Sequence, residues 1–283
     1  MRYINLDDFK PSNSWLATTE EKKSLLINMT KEQRSSFLKE SENKLWNSEP
    51  FSNSLKSIGK RKCWYAEVRS EVKLYIDHFR PKLGVSKISG SYNYQEGGIR
   101  PLSSGYYWKA YDYKNFRFVN DISNKRKGEY FPLKTGTTSC NSHNENENIE
   151  DGNVMLLDPC IQEDVKLLMY NYNMPKPVYT KDENEHNFHR AKISILAYDL
   201  ENSFLLDSLR RNVLQKCHLL LIEANRFYVN NQFDQFDRPV SFLIEMLNPE
   251  SEFTMMIYHR LLKSKEEWVE PYVIEIAKER DYL

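Results

Sequence analysis

The sequence predicts an α+β protein, mostly helical, in which one small ββα unit is embedded between helical segments. Two observations support this fold class. Apolar residues recur at helical spacing before residue 50 and again from about residue 161, whereas the stretch between is rich in Tyr, Trp, Val and Ile at strand length. We therefore expect an N-terminal helical segment over residues 1–50, a module over 51–135 and a helical C-terminal region over 136–283.

The N-terminal segment contains signals for two helices. Thr18 or Thr19 can cap a first helix that runs through Asn28. Thr30, with Gln33 three residues later, is typical of a capping box at the start of a second helix. We interpret this segment as scaffold.

The module begins with a predicted β-hairpin. Residues 63–68 and 72–76 alternate or run apolar at strand length, and residues 69–71 can form the connecting turn. The second strand ends at Asp77 and His78, because Pro81 cannot donate to a ladder and pushes the residue before it out of helical conformation.

The rest of the module completes the ββα pattern. Residues 83–105 contain five glycines and predict a loop, and residues 106–113 predict a short aromatic helix. Asn115 opens a stretch through residue 119 that can be a strand. Asn120 or Asp121 can then cap a short helix through Lys127, which Gly128 ends.

The C-terminal region is predicted to be helical after a polar loop. Residues 134–153 are nearly free of apolar side chains, so we expect a mobile surface loop. Helices are predicted at about 161–170, 184–198, 201–229, 238–247, 251–264 and 268–279, with prolines between several of them.

Length and composition describe a folded protein of one or two domains. The chain has 283 residues, of which 40% are hydrophobic and 28% charged, as in soluble globular proteins. It lacks the apolar run of a signal peptide and any membrane-length apolar segment, so we expect a cytoplasmic protein without membrane contact. Four widely spaced cysteines include no Cys-x-x-Cys pair, which predicts neither a disulfide framework nor a thiolate zinc site.

Charge is unevenly distributed along the chain. Residues 51–135 contain 17 Lys or Arg and 7 Asp or Glu, a net charge of +10, and the remainder contains 23 basic and 33 acidic residues, a net charge of −10. Concentrated basic side chains favour a polyanion such as nucleic acid at the module. The alternative, that the acidic remainder packs against the module, is compatible with the first.

Asp77 and His78 are adjacent residues that can bind a metal ion and abstract a proton, respectively. A carboxylate suits a hard divalent cation, and a neutral imidazole suits proton abstraction near neutral pH. Successive strand residues face opposite ways, so the two side chains reach one ligand only if the strand ends and bends there. The simpler interpretation is a strand end with a solvated Asp77 and a packed His78.

Other candidate residues carry weaker signals. His186 and His189 can share a helix face, but no third metal ligand is evident. Cys140, Cys160 and Cys217 lack the neighbours of an activated thiol. The apolar run at residues 219–222 is core or, alternatively, a surface for a partner. No GxxxxGK[ST] loop occurs, so any use of ATP must come from another chain.

Several phrases of the sequence resemble one nuclease family. Asp77 and His78, followed by Asn115 and then by Asn124 before Lys127 and Gly128, are similar to the motif of HNH (ββα-metal) endonucleases. Six longer segments resemble the HNH nucleases associated with retrons and with Septu anti-phage systems. They are CWYAE, IDHFRPK, YYWKAYDYKN, NKRKGEYFPL, LLDPC and NPESEFTMMIYHRLL. They run from about residue 63 to 264 and so cover most of the chain.

The resemblance implies roles for particular residues. Asp77 and Asn124 would bind a metal ion, His78 would be the general base, and Asn115 would brace the loop. Four neighbouring basic residues could grip phosphates or remain solvated: Arg80, Lys82, Arg126 and Lys127.

The sequence departs from related proteins at one point. They commonly carry two Cys-x-x-Cys pairs that hold a structural zinc ion, and the matching positions here are Cys63, Ala66, Asn120 and Ser123. One thiolate cannot form a tetrahedral zinc site, so we expect no structural zinc. Aromatic and apolar side chains, including Trp64, Tyr65 and Trp108, would then hold the strands to the short helix.

The implied function is hydrolysis of phosphodiester bonds in DNA, or in an RNA such as a tRNA, with Mg²⁺ or Mn²⁺ as cofactor. The resemblance implies an anti-phage effector that works with an ABC-type ATPase, and it leaves a retron reverse transcriptase with its noncoding RNA and DNA product open as a further partner. The alternative is a catalytically inactive HNH-like subunit that binds nucleic acid or serves in assembly.

Overall fold

The computed structural model describes residues 1–69, 73–85, 105–201 and 203–283. Helices predominate, and the described residues also contain two separate antiparallel pairs of strands. The chain is therefore α+β and mostly helical. None of the described helices combines the length and apolar composition needed to cross a membrane.

The α-helices of the described residues fall on both sides of the first strand pair. Before it lie α1 (Asn13–Asn28), α2 (Lys31–Lys39) and α3 (Glu49–Ile58). After it lie α4 (Asp121–Lys127), α5 (Gln162–Val165), α6 (Glu185–Ala197), α7 (Phe204–Val229), α8 (Phe233–Glu245), α9 (Thr254–Leu262) and α10 (Glu275–Glu279), the last preceded by a π-helical turn at Glu270–Ile274.

One of the two predicted N-terminal helix starts is confirmed. Thr30 caps α2 in a full capping box with Gln33, whose backbone N–H donates to the Thr30 hydroxyl at 3.3 Å. The predicted start of α1 is wrong, because the backbone N–H of Trp15 donates to Ser12 at 3.2 Å and the helix begins at Asn13. Thr18 lies inside α1 and donates its hydroxyl to a backbone carbonyl one turn earlier.

The first strand pair joins β1 (Leu74–His78) to β2 (Phe116–Asn120) in antiparallel register, with Asp77 opposite Arg117. The predicted strand at residues 63–68 is wrong. This segment is a turn in which Glu67 has a φ of 56° and its N–H donates to the Cys63 carbonyl at 2.9 Å. Residues 70–72, part of the predicted turn and strand, lie outside the described residues, as does most of the predicted 83–105 loop.

The helix after β2 forms as predicted. Asn120 caps α4 by accepting a hydrogen bond from the Ser123 N–H at 2.9 Å. Gly128, with a φ of 50°, ends the helix in a conformation that a residue with a Cβ rarely adopts. The predicted aromatic helix at 106–113 is only a 3₁₀ turn, Tyr107–Lys109.

The predicted helix at 161–170 is wrong beyond its first turn. After α5, strands β3 (Leu168–Asn171) and β4 (Met174–Pro177) form a hairpin. Tyr172, at the tip, takes a left-handed φ of 55°. Burial alternates along β3, which is the period of a strand with one face on the core.

Two hydrophobic clusters meet at the first strand pair. Phe116 and Phe118 of β2 belong to a cluster with side chains from the N-terminal helices, whereas Val119 belongs to the larger cluster formed with the C-terminal region. Strand β2 therefore contributes to both clusters. This arrangement fixes the end of β1, where the candidate site lies.

Candidate functional site

Asp77 and His78 are the last two residues of β1, and both are buried, with 7% and 4% of their surface exposed. Their side chains face different surroundings, as successive strand residues do. Asp77 contacts Lys127 of α4, whereas the His78 ring lies against Trp46 and Phe116. The interpretation of Asp77 as a solvated strand end is therefore wrong.

The Asp77 carboxylate is paired with the buried ammonium of Lys127. Lys127 Nζ lies 3.1 Å from Oδ1 and 2.9 Å from Oδ2, and it also donates to the His78 carbonyl at 2.7 Å. Oδ2 is buried and receives no well-aligned hydrogen bond from the described residues. Burial raises the pKa of Asp77, and the neighbouring Lys127 opposes that shift.

His78 has hydrogen-bond partners at both ring nitrogens. Nε2 lies 3.0 Å from the carbonyl oxygen of Ala110, which can only accept, so Nε2 carries the proton. Nδ1 then has a lone pair, and Lys82 Nζ lies 3.3 Å from it. Burial and then the charge of Lys82 hold the pKa of His78 well below its usual range, so the imidazole is neutral at physiological pH.

Asn115 connects the end of β1 to the segment before β2. Its Oδ1 accepts a hydrogen bond from the Arg80 N–H at 2.8 Å, and its Nδ2 donates to the Arg80 carbonyl at 3.0 Å. The same amide also donates to the Lys109 carbonyl at 3.3 Å. These bonds fix the backbone two residues after His78, which is the geometry that a bracing residue requires.

Asn124 lies on α4 one turn before Lys127, and residues three apart share a helix face. Its side chain is partly buried and makes no hydrogen bond within the described residues. Its carbonyl oxygen, like the carboxylate of Asp77, is a ligand of the kind that a hard divalent cation prefers. The two side chains thus have the donor chemistry of such a site, and the Lys127 ammonium occupies the Asp77 carboxylate in this structure.

Two of the four predicted phosphate-gripping residues are engaged with buried acids. Lys127 is 1% exposed and bound to Asp77. Arg80 forms an ion pair with Glu150, which is fully buried and also accepts a hydrogen bond from Tyr106 at 2.9 Å. Neither of these two cations is exposed to grip a phosphate in this conformation.

The other two predicted phosphate-gripping residues are less constrained. Arg126 is partly buried, and its Nε has no hydrogen-bond partner among the described residues. Lys82 is half-buried, lies 5.0 Å from the ring centre of Trp46, and contacts His78. Burial lowers the pKa of Lys82 to about 8, although Asp77 opposes that shift.

Sequence reasoning missed Glu150. The polar composition of residues 134–153 predicted exposure, and no local pattern marks one acid in that stretch as buried. Its burial depends on the ion pair with Arg80 and the hydrogen bond from Tyr106, both of which are tertiary contacts.

Cys63, Ala66, Asn120 and Ser123, the four positions compared above with zinc cysteines, come together in space. Cys63 Sγ lies 3.4 Å from the Ala66 backbone nitrogen and 3.3 Å from Asn120 Nδ2. Asn120 Nδ2 also donates to Ser123 Oγ at 3.0 Å, and Ser123 donates to the Tyr198 carbonyl at 2.6 Å. A fully buried hydrogen-bond cluster thus joins the 63–66 turn to the start of α4.

The weaker candidates remain without a functional arrangement. His189 Nε2 lies 3.7 Å from Glu185, and the described residues contain no cluster of three or more His, Cys, Asp or Glu suited to a metal. Burial raises the pKa of the Cys217 thiol to about 12. Of the 219–222 run, Leu221 is buried, whereas Leu219 and Ile222 are exposed.

No protein-family model matches this chain, and no curated protein matches it either.

Proposed function

We propose that this chain is a metal-dependent HNH (ββα-metal) endonuclease that hydrolyses phosphodiester bonds of nucleic acid. One observation carries the proposal. Asp77 and His78 end the first strand of an antiparallel pair, Asn115 immediately precedes the second strand, and Asn124 lies on the short helix that follows it. The Asn115 clamp on the Arg80 backbone and the buried cluster of Cys63, Ala66, Asn120 and Ser123 support the same assignment.

His78 is the general base of this proposal. The Ala110 carbonyl fixes the tautomer and orients the ring, so that Nδ1 presents the lone pair. Nδ1 removes a proton from a water molecule, whose oxygen attacks phosphorus while the bond from phosphorus to the 3′ oxygen breaks. The departing 3′ oxygen takes a proton from solvent, which yields a 5′-phosphate and a 3′-hydroxyl. Because burial and Lys82 lower the pKa of His78, the imidazole stays neutral and able to accept that proton.

Asp77 and Asn124 would hold a Mg²⁺ or Mn²⁺ ion. When bound, such an ion stabilises the negative charge that develops on the phosphate oxygens. Lys127 neutralises Asp77 in the present conformation and would withdraw from the carboxylate. Arg126 and Lys82 would contact flanking phosphates, in a module whose net charge is +10.

The proposal extends to a role in anti-phage defence together with an ABC-type ATPase, on the basis of the sequence resemblance. The C-terminal helices would provide the docking surface. Exposed Leu219, Ile222 and Val229 lie along one side of α7, which is compatible with a partner there. Co-purification of the chain with an ATPase, and loss of that association on Ile222→Glu, would test this extension.

A second candidate function is an inactive subunit that binds nucleic acid or serves in assembly. The observation that favours it is the state of both key groups, since an ammonium neutralises Asp77 and another lies against His78 Nδ1. A divalent-metal titration separates the two candidates. Activity lost in chelator and restored by Mg²⁺ or Mn²⁺ supports the nuclease.

The principal test compares cleavage of labelled DNA and structured RNA by the wild-type chain, His78→Ala and His218→Ala. His218 is exposed on α7 and serves as the matched control. We expect His78→Ala to abolish cleavage while His218→Ala cuts normally, and we expect 5′-phosphate ends. Undiminished cutting by His78→Ala, or a 2′,3′-cyclic phosphate end on RNA, would refute the mechanism.

A further inference from the structure

The lone pair that a general base must use is covered in this structure. Lys82 Nζ lies 3.3 Å from His78 Nδ1, and the Nε2 proton is committed to the Ala110 carbonyl. An ammonium can only donate, so Lys82 occupies the one nitrogen through which His78 could accept a proton. Only 4% of the His78 surface is exposed, and the ring also lies against Trp46 and Phe116.

The position of Lys82 makes it displaceable. Its contact with Nδ1 is at the long end of hydrogen-bond distances, and its side chain is a flexible four-carbon stem. It follows Pro81 in the loop after β1 and is half-buried, unlike Lys127. The charged groups around it are Asp77 and Glu129, which attract it, and Lys127 and Lys44, which repel it.

We infer that Lys82 is a removable cap on His78: its ammonium covers Nδ1 in the free protein and moves onto a phosphate of the nucleic acid when substrate binds. The inference rests on the proposed function, because it concerns the same imidazole. It assigns to one residue both restraint of the base in the absence of nucleic acid and recognition of the substrate. A phosphate diester is the ligand class that this chemistry selects, since it offers anionic oxygens to the ammonium.

The test uses NMR of the full chain labelled with ¹⁵N-histidine, in chelator so that no cleavage occurs. The chain has six histidines, and the ring-nitrogen resonances that are missing from the spectrum of His78→Gln are those of His78. An unprotonated ring nitrogen that loses a hydrogen bond shifts downfield, so we expect a downfield Nδ1 resonance in Lys82→Met. Lys125→Met, which removes an exposed lysine of α4, should leave the resonance unchanged.

The phosphate step is tested by adding a short DNA duplex or an RNA hairpin. In the wild type, we expect at least one of these probes to move the Nδ1 resonance to its position in Lys82→Met, and in that variant we expect no such movement. The inference would be overturned if the His78 Nδ1 resonance does not shift in Lys82→Met. It would also be overturned if neither probe shifts that resonance in the wild type. Lys82→Arg, which keeps the cation, provides a second variant if Lys82→Met does not fold.

Kinetics give an independent result. Loss of one phosphate contact should raise KM about tenfold in Lys82→Met while kcat stays within about twofold of the wild type. A lower kcat at unchanged KM would instead indicate that Lys82 merely supports the ring. If no variant cuts nucleic acid, the proposed nuclease fails, but the NMR result still decides whether Lys82 leaves Nδ1.

Discussion

Replacing Lys127 by methionine removes the ammonium that neutralises Asp77 while keeping a long apolar side chain. Lys127 is 1% exposed, and its Nζ lies within about 3.1 Å of three oxygens, two from Asp77 and one from the His78 carbonyl. Removing one partner of a buried ion pair costs about 3–5 kcal/mol, because the other charge stays buried without compensation. We expect that loss in chelator, measured as the free energy of unfolding in urea.

Added Mg²⁺ should restore part of the stability of Lys127→Met. An ion present at about 100 times its dissociation constant stabilises the folded state by about 2.7 kcal/mol. In the wild type the ion must displace the ammonium, so the gain is smaller. The double variant Asp77→Asn/Lys127→Met is the control and should not respond. The reasoning is refuted if Mg²⁺ stabilises Lys127→Met no more than it stabilises the wild type.

Three further predictions concern stability and can be measured by urea unfolding. Asn115→Ala should lower the free energy of unfolding by about 1–3 kcal/mol, because the Arg80 N–H loses its acceptor. An unchanged urea midpoint would contradict a stabilising role for the Asn115 hydrogen bonds to the Arg80 backbone. Asp158→Asn should cost about 3–5 kcal/mol, because Asp158 pairs with the buried Arg117, whereas Asp121→Asn at an exposed pair should change little. For Glu67, the pKa is lowered from 4.5 to about 2, because neighbouring cations outweigh the effect of burial. A lowered folded-state pKa stabilises the protein above pH 4.5, and that stability is lost as the pH falls toward about 2. Glu67→Gln should therefore make the free energy of unfolding depend less on pH between about 2 and 4.5. An equal dependence on pH in the variant and the wild type would contradict this assignment.

The parts of the fold that the sequence predicts are those that depend on local backbone chemistry. The Thr30 capping box, the Asn120 cap and the stop at Gly128 all form, because each needs only residues within one helical turn. The turn at 63–68 has strand-like composition, but Glu67 bends the backbone while its carboxylate accepts a hydrogen bond from Thr254 at 2.6 Å. That partner is distant in sequence, so composition alone could not predict it.

The same distinction holds within the candidate site. The motif predicts that Asp77, His78 and Asn115 lie near one another although the 83–105 stretch separates them, and the structure brings them to the end of β1. The sequence left Arg126 and Lys127 open as phosphate contacts or solvated charges, and helix geometry separates the basic residues that follow Asn124. Lys125 faces solvent, whereas Lys127 faces β1 and pairs with Asp77. Which face of α4 meets the sheet is a tertiary property.

The central claim is that the Asp77 carboxylate belongs to a divalent-cation site. Crystals grown with Mn²⁺ and measured for anomalous scattering test it most directly. We expect an anomalous peak at coordination distance from Asp77 Oδ2 and the Asn124 carbonyl oxygen, with the Lys127 ammonium moved away, and no peak in Asp77→Asn crystals. Wild-type crystals in which Lys127 still contacts Asp77 and no anomalous peak lies beside it would contradict the claim.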